Sequence, residues 1–393
     1  MTLRGSAGPI RSNCALARAL GCTEKFLSDV IARDTSSKYR LVEAPAKLDG
    51  TRREVYSPSR DVRLIQRRIV NRFFKNPRVI KWPPFIYGGI HRDALAPGES
   101  RDHVACAQKH CGARSMVKLD IRSFFDNVTH DMVVETMVMQ LGWSRGPAIL
   151  LADLCTRDGS LPQGGITSSY LALLSIYDVE SKIFNIVGYK KLVYTRYVDD
   201  ITISSRNSGY DFSPIVKMVD QFLLSKGLSI NDAKTSVSVS GLEPLVVHGL
   251  NVANKHPVLP KAEVKRIKSV SRQTINDASE EGRRTHGFRR RYYRSMGLIN
   301  KLSRVRSSSH KSSLSKLKSV SPLPNFADYD IATVVAYRLR DLYGAKKGGR
   351  WYWRKFNVLM ARLDLIAVEN PGWAKTLRRY MRRHYRPDYR RPE

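Results

Sequence analysis

Residues 192–203 read Leu-Val-Tyr-Thr-Arg-Tyr-Val-Asp-Asp-Ile-Thr-Ile, two adjacent carboxylates between runs of strand-forming residues. Leu192, Val193 and Tyr194 are apolar or aromatic, and Ile201, Thr202 and Ile203 are β-branched, so both flanks suit a pleated, half-buried surface. The stretch reads as a β-hairpin whose tight turn displays Asp199 and Asp200 at its tip. Two carboxylates held that close repel one another and stay ionised together only beside a neutralising cation. Mg²⁺ suits the position, because it takes oxygen ligands and keeps room for substrate phosphates. Asp is also a common turn residue, so the pair gains meaning only from the rest of the chain.

A further acid supplies that meaning. In Met116-Val-Lys-Leu-Asp-Ile-Arg-Ser-Phe-Phe-Asp-Asn-Val128, an apolar strand runs into Asp120, and Phe124, Phe125 and Val128 begin a helical pattern. A lone Asp at a strand-to-helix junction most often caps the helix. An acid at one strand end and a pair on a hairpin converge if their strands are neighbours in one sheet. Two metal ions about 3.5–4 Å apart need such a carboxylate bridge to clamp the attacking and leaving oxygens of a phosphoryl transfer.

Charge points to the substrate class. The 393 residues carry 68 Lys and Arg against 35 Asp and Glu, a formal charge of +33. Residues 261–393 hold 33 of the cations and 11 of the acids, so the last third of the chain carries +22 of that charge. Runs such as Arg289-Arg-Arg-Tyr-Tyr-Arg294 and Arg378-Arg-Tyr-Met-Arg-Arg-His-Tyr-Arg386 interleave cations with aromatics able to stack on bases. One charge run is ordinarily a solvated helix face; this many along one segment favour nucleic acid. No uninterrupted apolar stretch is long enough for a membrane span, which argues against a membrane partner. Met1–Ser12 has no signal-peptide core, and five unpatterned cysteines fit a reducing cytoplasm. His103, Cys106, His110 and Cys111 are four potential zinc ligands, but they crowd into nine residues with no distant second pair to close a loop.

The blocks together resemble a reverse transcriptase, most closely the retron-type prokaryotic enzymes. The resemblance runs over roughly residues 39–256: Lys47-Leu-Asp-Gly-Thr-Arg-Arg53-Glu-Val-Tyr-Ser-Pro58, Leu64-Ile-Gln66, the Asp120 block, Leu161-Pro-Gln-Gly-Gly-Ile-Thr-Ser168, Tyr197-Val-Asp-Asp200, Gly227-Leu-Ser-Ile-Asn-Asp-Ala-Lys234 and Val247-His-Gly-Leu-Asn-Val252. It implies an α+β, right-hand polymerase architecture, with fingers, a palm built on an antiparallel sheet and a helical thumb. Helical N- and C-terminal extensions complete the expectation, with divisions at 1–38, 39–255, 256–320 and 321–393. It implies that Asp120, Asp199 and Asp200 hold two Mg²⁺ ions (or Mn²⁺), aided by the Ile121 carbonyl, and that Lys234 is a general acid near the leaving pyrophosphate. Phe125 becomes the gate that crowds a ribose 2′-hydroxyl, Lys47 and Arg53 clamp the dNTP triphosphate, and Gln163 and Gly164 face its base and sugar. The implied partners are a structured non-coding RNA serving as template and primer, the RNA–DNA hybrid, and an effector protein of the same anti-phage system, in a bacterial cytoplasm.

Three positions leave the retron pattern: Cys106 stands where the family commonly has Asn, His248 replaces the Thr of Val-Thr-Gly, and Ser169 replaces a Pro. The catalytic blocks are intact. The departures bear on which RNA is recognised and keep a sister lineage of defence-associated reverse transcriptases in view, making untemplated or protein-primed DNA. A non-catalytic RNA-binding scaffold is the alternative of another class, disfavoured because a scaffold has no need of three clustered acids.

Overall fold

The computed structural model describes residues 3–43 and 54–389. The described chain divides into two compact units, one ending at Pro257 and one beginning at Val258.

The first unit is organised by a five-stranded sheet. Its strands are β3 (Ile86–Tyr87), β4 (Ser115–Asp120), β5 (Val193–Tyr197), β6 (Asp200–Ser205) and β7 (Ser236–Val239), in the spatial order β3-β5-β6-β4-β7. All neighbours are antiparallel except β3 and β5. Before it, β1 (Tyr39–Val42) and β2 (Val55–Pro58) form a two-stranded ribbon; after it, β8 (Val246–Val247) and β9 (Leu250–Asn251) form another. β4 is buried along most of its length, and Ile201 and Ile203 of β6 are buried beside it. β6 keeps its apolar–polar alternation, yet Thr202 and Ser204 are buried as well, so the sheet is covered on both faces there.

Helices cover the sheet. The Ser168–Ser175 helix is buried at every residue but Ser169, as expected of a helix apolar all round, and Tyr177–Tyr189 follows it across Ile183 and Val187. At the N-terminus, Ser12 and Thr23 cap the helices Asn13–Leu20 and Glu24–Ile31, accepting from the amides of Ala15 and Phe26. Gly21 ends the first of them in the left-handed conformation, its N–H returning to the Ala17 and Arg18 carbonyls. Leu16, Leu20, Leu27 and Val30 join the core that holds the sheet residues Val117, Leu119 and Ile203, so these helices belong to the main body.

The second unit is helical. Lys261–Asn276, His286–Arg304 and Ser309–Lys318 close on Ile267, Phe288, Ile299, Leu302 and Leu317. Phe326–Asp341, Arg350–Ile366 and Pro371–His384 close on Leu339, Tyr352, Leu363, Ile366 and Met381. Buried Asp328 ties the two clusters: it takes Arg289 on both guanidinium nitrogens and Arg362 at 3.3 Å, and it completes a capping box with Asn325. Burial alone would raise its pKa, but these partners hold the carboxyl below the usual range. Arg284 adds a fork to Glu369 at 2.9 and 2.6 Å.

Candidate active site

Asp120 is the last residue of β4, and its Cα partner across the ladder is Asp200, the first residue of β6. Like charges directly opposite one another destabilise a sheet, so the position calls for an external compensating charge. The connection between β5 and β6 has only Val198 and Asp199 in the turn, since Tyr197 pairs with Asp200. Val198 adopts φ +61°, a left-handed conformation costly for a β-branched residue. The turn is therefore one residue earlier than the sequence suggested: Asp199 sits on it and Asp200 has joined the strand.

Buried contacts hold that strained turn in place. The Arg196 guanidinium donates to the Val198 carbonyl at 2.8 Å and to the Leu173 carbonyl at 2.8 Å, and grips both Glu180 oxygens at 2.6 Å. Arg196 and Glu180 are both fully buried, and Tyr194 donates to Glu180 as well. Burial disfavours the Arg196 charge, and Glu180 more than offsets it, so the guanidinium pKa is raised. The sequence reading passed over this pair, although an Arg inside a β-type run is itself a signal that a buried acid must answer it.

Around the acids opens a cleft of about 820 Å³ that brings together Asp120, Ile121, Phe125, Gln163, Asp199, Asp200 and Lys234. The Ile121 amide donates to the Asp199 carbonyl at 3.1 Å, locking the end of β4 to the turn. Asp120 does not cap the following helix, whose N-cap is Ser123. Its carboxylate instead receives Lys234 Nζ at 3.0 and 2.9 Å and Asn231 Nδ2 at 3.3 Å. Phe125 is half-buried, packed against the core and edge-on to Phe124, while also lining the cleft. The Gln163 carbonyl accepts from the Tyr56 amide at 2.7 Å. Gly164, at φ +103°, lies beside the cleft, and a Cβ there would meet the Tyr56 carbonyl at 2.6 Å, so the missing side chain admits β2. Lys47 and Arg53 lie outside the described residues.

The electrostatics suit a hard dication. Burial, then Asp199 and Asp120, push the Asp200 carboxyl up to about 6. Hydrogen bonding to Asp120 holds Lys234 protonated above its usual value. Among the described residues no three His, Cys, Asp or Glu side chains already form a closed metal-binding group. Asp120, Asp199 and Asp200 supply the oxygen chemistry Mg²⁺ takes, with Lys234 as the cation now on Asp120.

Two of the three positions that leave the retron pattern, Cys106 and His248, meet one another behind the hairpin. Cys106 Sγ lies 3.4 Å from His248 Nε2, and the His248 ring packs 4.5 Å from that of Tyr197. His110 is buried with both nitrogens engaged at 2.7 Å, by Ser204 and Thr195. Burial holds its pKa down at about 3 and that of His248 at about 4, and raises the Cys106 thiol to about 12.

The model of the reverse transcriptase (RNA-dependent DNA polymerase) family matches residues 45–269. Over 92% of this chain and 89% of the relative, the sequence is 35% identical to the Retron Ec48 reverse transcriptase of Escherichia coli. The chain belongs to the retron reverse transcriptases. Further relatives are the Retron Se72 enzyme of Salmonella heidelberg, 29% identical over 66% of each chain, and the Retron Ec86 enzyme of Escherichia coli, 28% identical over 51% of this chain and 59% of that one. This retron reverse transcriptase is thus an RNA-directed DNA polymerase with the right-hand fold of its family. No helix among its described residues is long and apolar enough to cross a membrane.

Proposed function

We propose that this reverse transcriptase copies a bound, structured non-coding RNA into DNA by two-metal nucleotidyl transfer, as part of an anti-phage system in the bacterial cytoplasm. The observation that carries the mechanism is the opposition of Asp120 and Asp200 across the β4–β6 ladder with Asp199 on the adjoining turn. These three carboxylates and the Ile121 carbonyl would hold two Mg²⁺ ions, or Mn²⁺. Bound there, the ions neutralise phosphate charge and make a priming hydroxyl nucleophilic.

The chain's own groups account for the rest. The primer hydroxyl gives up its proton to solvent water and its oxygen attacks the α-phosphorus of a dNTP, the bond from that phosphorus to the oxygen bridging to the β-phosphorus breaks, and pyrophosphate leaves. Lys234, protonated at the start, gives its proton to that leaving oxygen. Phe125 stands where a 2′-hydroxyl would crowd its ring, selecting deoxyribose. Gln163 lines the dNTP side of the cleft, Gly164 supports it, and Lys47 and Arg53 grip the triphosphate. The second, basic unit binds the RNA and the RNA–DNA hybrid, and an effector protein of the same system completes the partners.

The test is primer extension with Mg²⁺, dNTPs and a primed RNA template. Wild type should extend and Asp199→Asn should not; Phe125→Ala should raise ribonucleotide use about tenfold. Nucleic acid co-purifying with the protein separates the modes of synthesis. An RNA–DNA hybrid supports the proposal, while DNA matching no RNA, or DNA still joined to protein, would replace it with untemplated or protein-primed synthesis.

A further inference from the structure

In the second unit, the helices Phe326–Asp341 and Pro371–His384 both pack against Arg350–Ile366 and contribute Ala332, Ala336, Ala374 and Met381 to one buried cluster with it. A groove of about 480 Å³ lies between the two outer helices, with buried Ala336 and Met381 in its lining. Its walls are Tyr337 and Arg340 from one helix and Trp373, Thr376, Leu377 and Tyr380 from the other. Tyr337 is 55% exposed and Tyr380 45% exposed, the Tyr380 ring lying 5.3 and 5.5 Å from those of His384 and Tyr385. The Arg340 guanidinium, paired with Asp341, lies 4.8 Å over the Tyr337 ring and covers one of its faces.

The charge around the groove is one-sided. The Pro371–His384 helix carries Lys375, Arg378, Arg379, Arg382 and Arg383 and no acid. Arg378 is paired with Asp364, whereas Lys375, Arg379, Arg382 and Arg383 are exposed. Arg383 follows Tyr380 by three residues, which puts this cation on the flank adjoining the groove, while Arg379 lies round toward the outer face of the helix. Flat aromatic walls with cations beside them match a base and its phosphates. An apolar plug from a protein would gain nothing from the cations.

We propose that this groove seats one unstacked base of the bound RNA, stacked against Tyr337 and Tyr380, with Arg383 on a flanking phosphate. The inference rests on the reading that the second unit binds RNA, and narrows it to a site. It gives the C-terminal helices a role in gripping an unpaired nucleotide rather than a duplex.

The test uses the full-length protein and a fluorescein-labelled single-stranded oligouridylate carrying one 4-thiouridine. Wild type should bind it by fluorescence anisotropy, and ultraviolet crosslinking followed by mass spectrometry should map the thiobase to Tyr337, Trp373 or Tyr380. Tyr380→Leu should weaken binding about tenfold, while Tyr380→Phe, which keeps the stacking face, should bind as wild type does. An unchanged melting temperature in both variants separates the effect from misfolding, and Tyr337→Leu gives an independent reading if Tyr380→Leu does not fold. Failure of the wild type to bind the oligonucleotide overturns the RNA reading and the groove with it. Binding that survives both leucine variants, with crosslinks mapping elsewhere, overturns the groove alone. Tighter binding of the matching DNA overturns the assignment to RNA.

Discussion

Lys234 places its ammonium 3.0 and 2.9 Å from the two oxygens of Asp120, across 114 residues of sequence. The lysine is more than half exposed and the aspartate nearly buried, so the contact neutralises the acid at little cost to the base. On the proposed mechanism an incoming dication would compete with this ammonium for Asp120 and would leave a protonated amine beside the reacting phosphates.

Replacing Lys234 by Ala should therefore lower both the maximal rate and the Mg²⁺ requirement. Loss of the proton donor lowers the maximal extension rate about 100-fold. Loss of the competing cation lowers the Mg²⁺ concentration needed for half-maximal rate. Extension measured across a Mg²⁺ series reads both, and a rise in the Mg²⁺ requirement would overturn the competition.

Asp200 gives a pH-dependent prediction. Its carboxyl titrates at about 6 in the fold against 3.8 ordinarily, so between those values the native state binds the proton that the unfolded chain has lost. Stability from this residue therefore falls as pH rises from about 4 through 6, and the penalty is complete at neutral pH. Asp200→Asn in EDTA should raise the melting temperature at pH 7.5, by about 1 kcal/mol of stability after allowing for solvent around the exposed residue, and not at pH 3.5. Equal effects at both pH values would count against the carboxylate repulsion.

Arg196 and Glu180 separate stability from activity. Arg196→Met should destabilise the protein by about 3–5 kcal/mol, because Glu180 is left buried and unpaired. Arg196→Met with Glu180→Leu should recover most of that loss in a denaturant melt. Extension activity should stay low in the double variant, because nothing then donates to the Val198 carbonyl. Recovery of both together would reduce the pair to a structural one.

Cys106 and His248 should behave as one unit. Cys106→Asn and His248→Thr restore the residues common in the family, one on each side of a 3.4 Å contact. Each alone should destabilise, and the double variant should be more stable than their sum by about 0.5–1 kcal/mol in urea unfolding. Additive losses would mean the two departures arose without reference to each other.

The hairpin and its acids were legible because β-branched flanks announce strands, and Asp120 because an apolar run leads into it. The register of the turn was not. Local rules steer a left-handed residue away from Val, so they put both acids at the tip; the buried Arg196 guanidinium reverses that preference by fixing the Val198 carbonyl. Asp120 and Lys234 lie too far apart for any pattern to join, and only the family resemblance put them side by side. In the C-terminal third, the alternation of cations and rings was plain from residues 378–386. That the rings of Tyr337 and Tyr380 face one groove depends on how two helices pack, which no single helix reveals.

The contacts of Asp328 make the two helical clusters of the second unit depend on one another. Arg289 belongs to one cluster and Arg362 to the other, and one buried acid answers both. Removing the last helices takes Asp328 away and leaves the largely buried Arg289 without its counter-charge. The cluster before them is therefore electrostatically incomplete by itself.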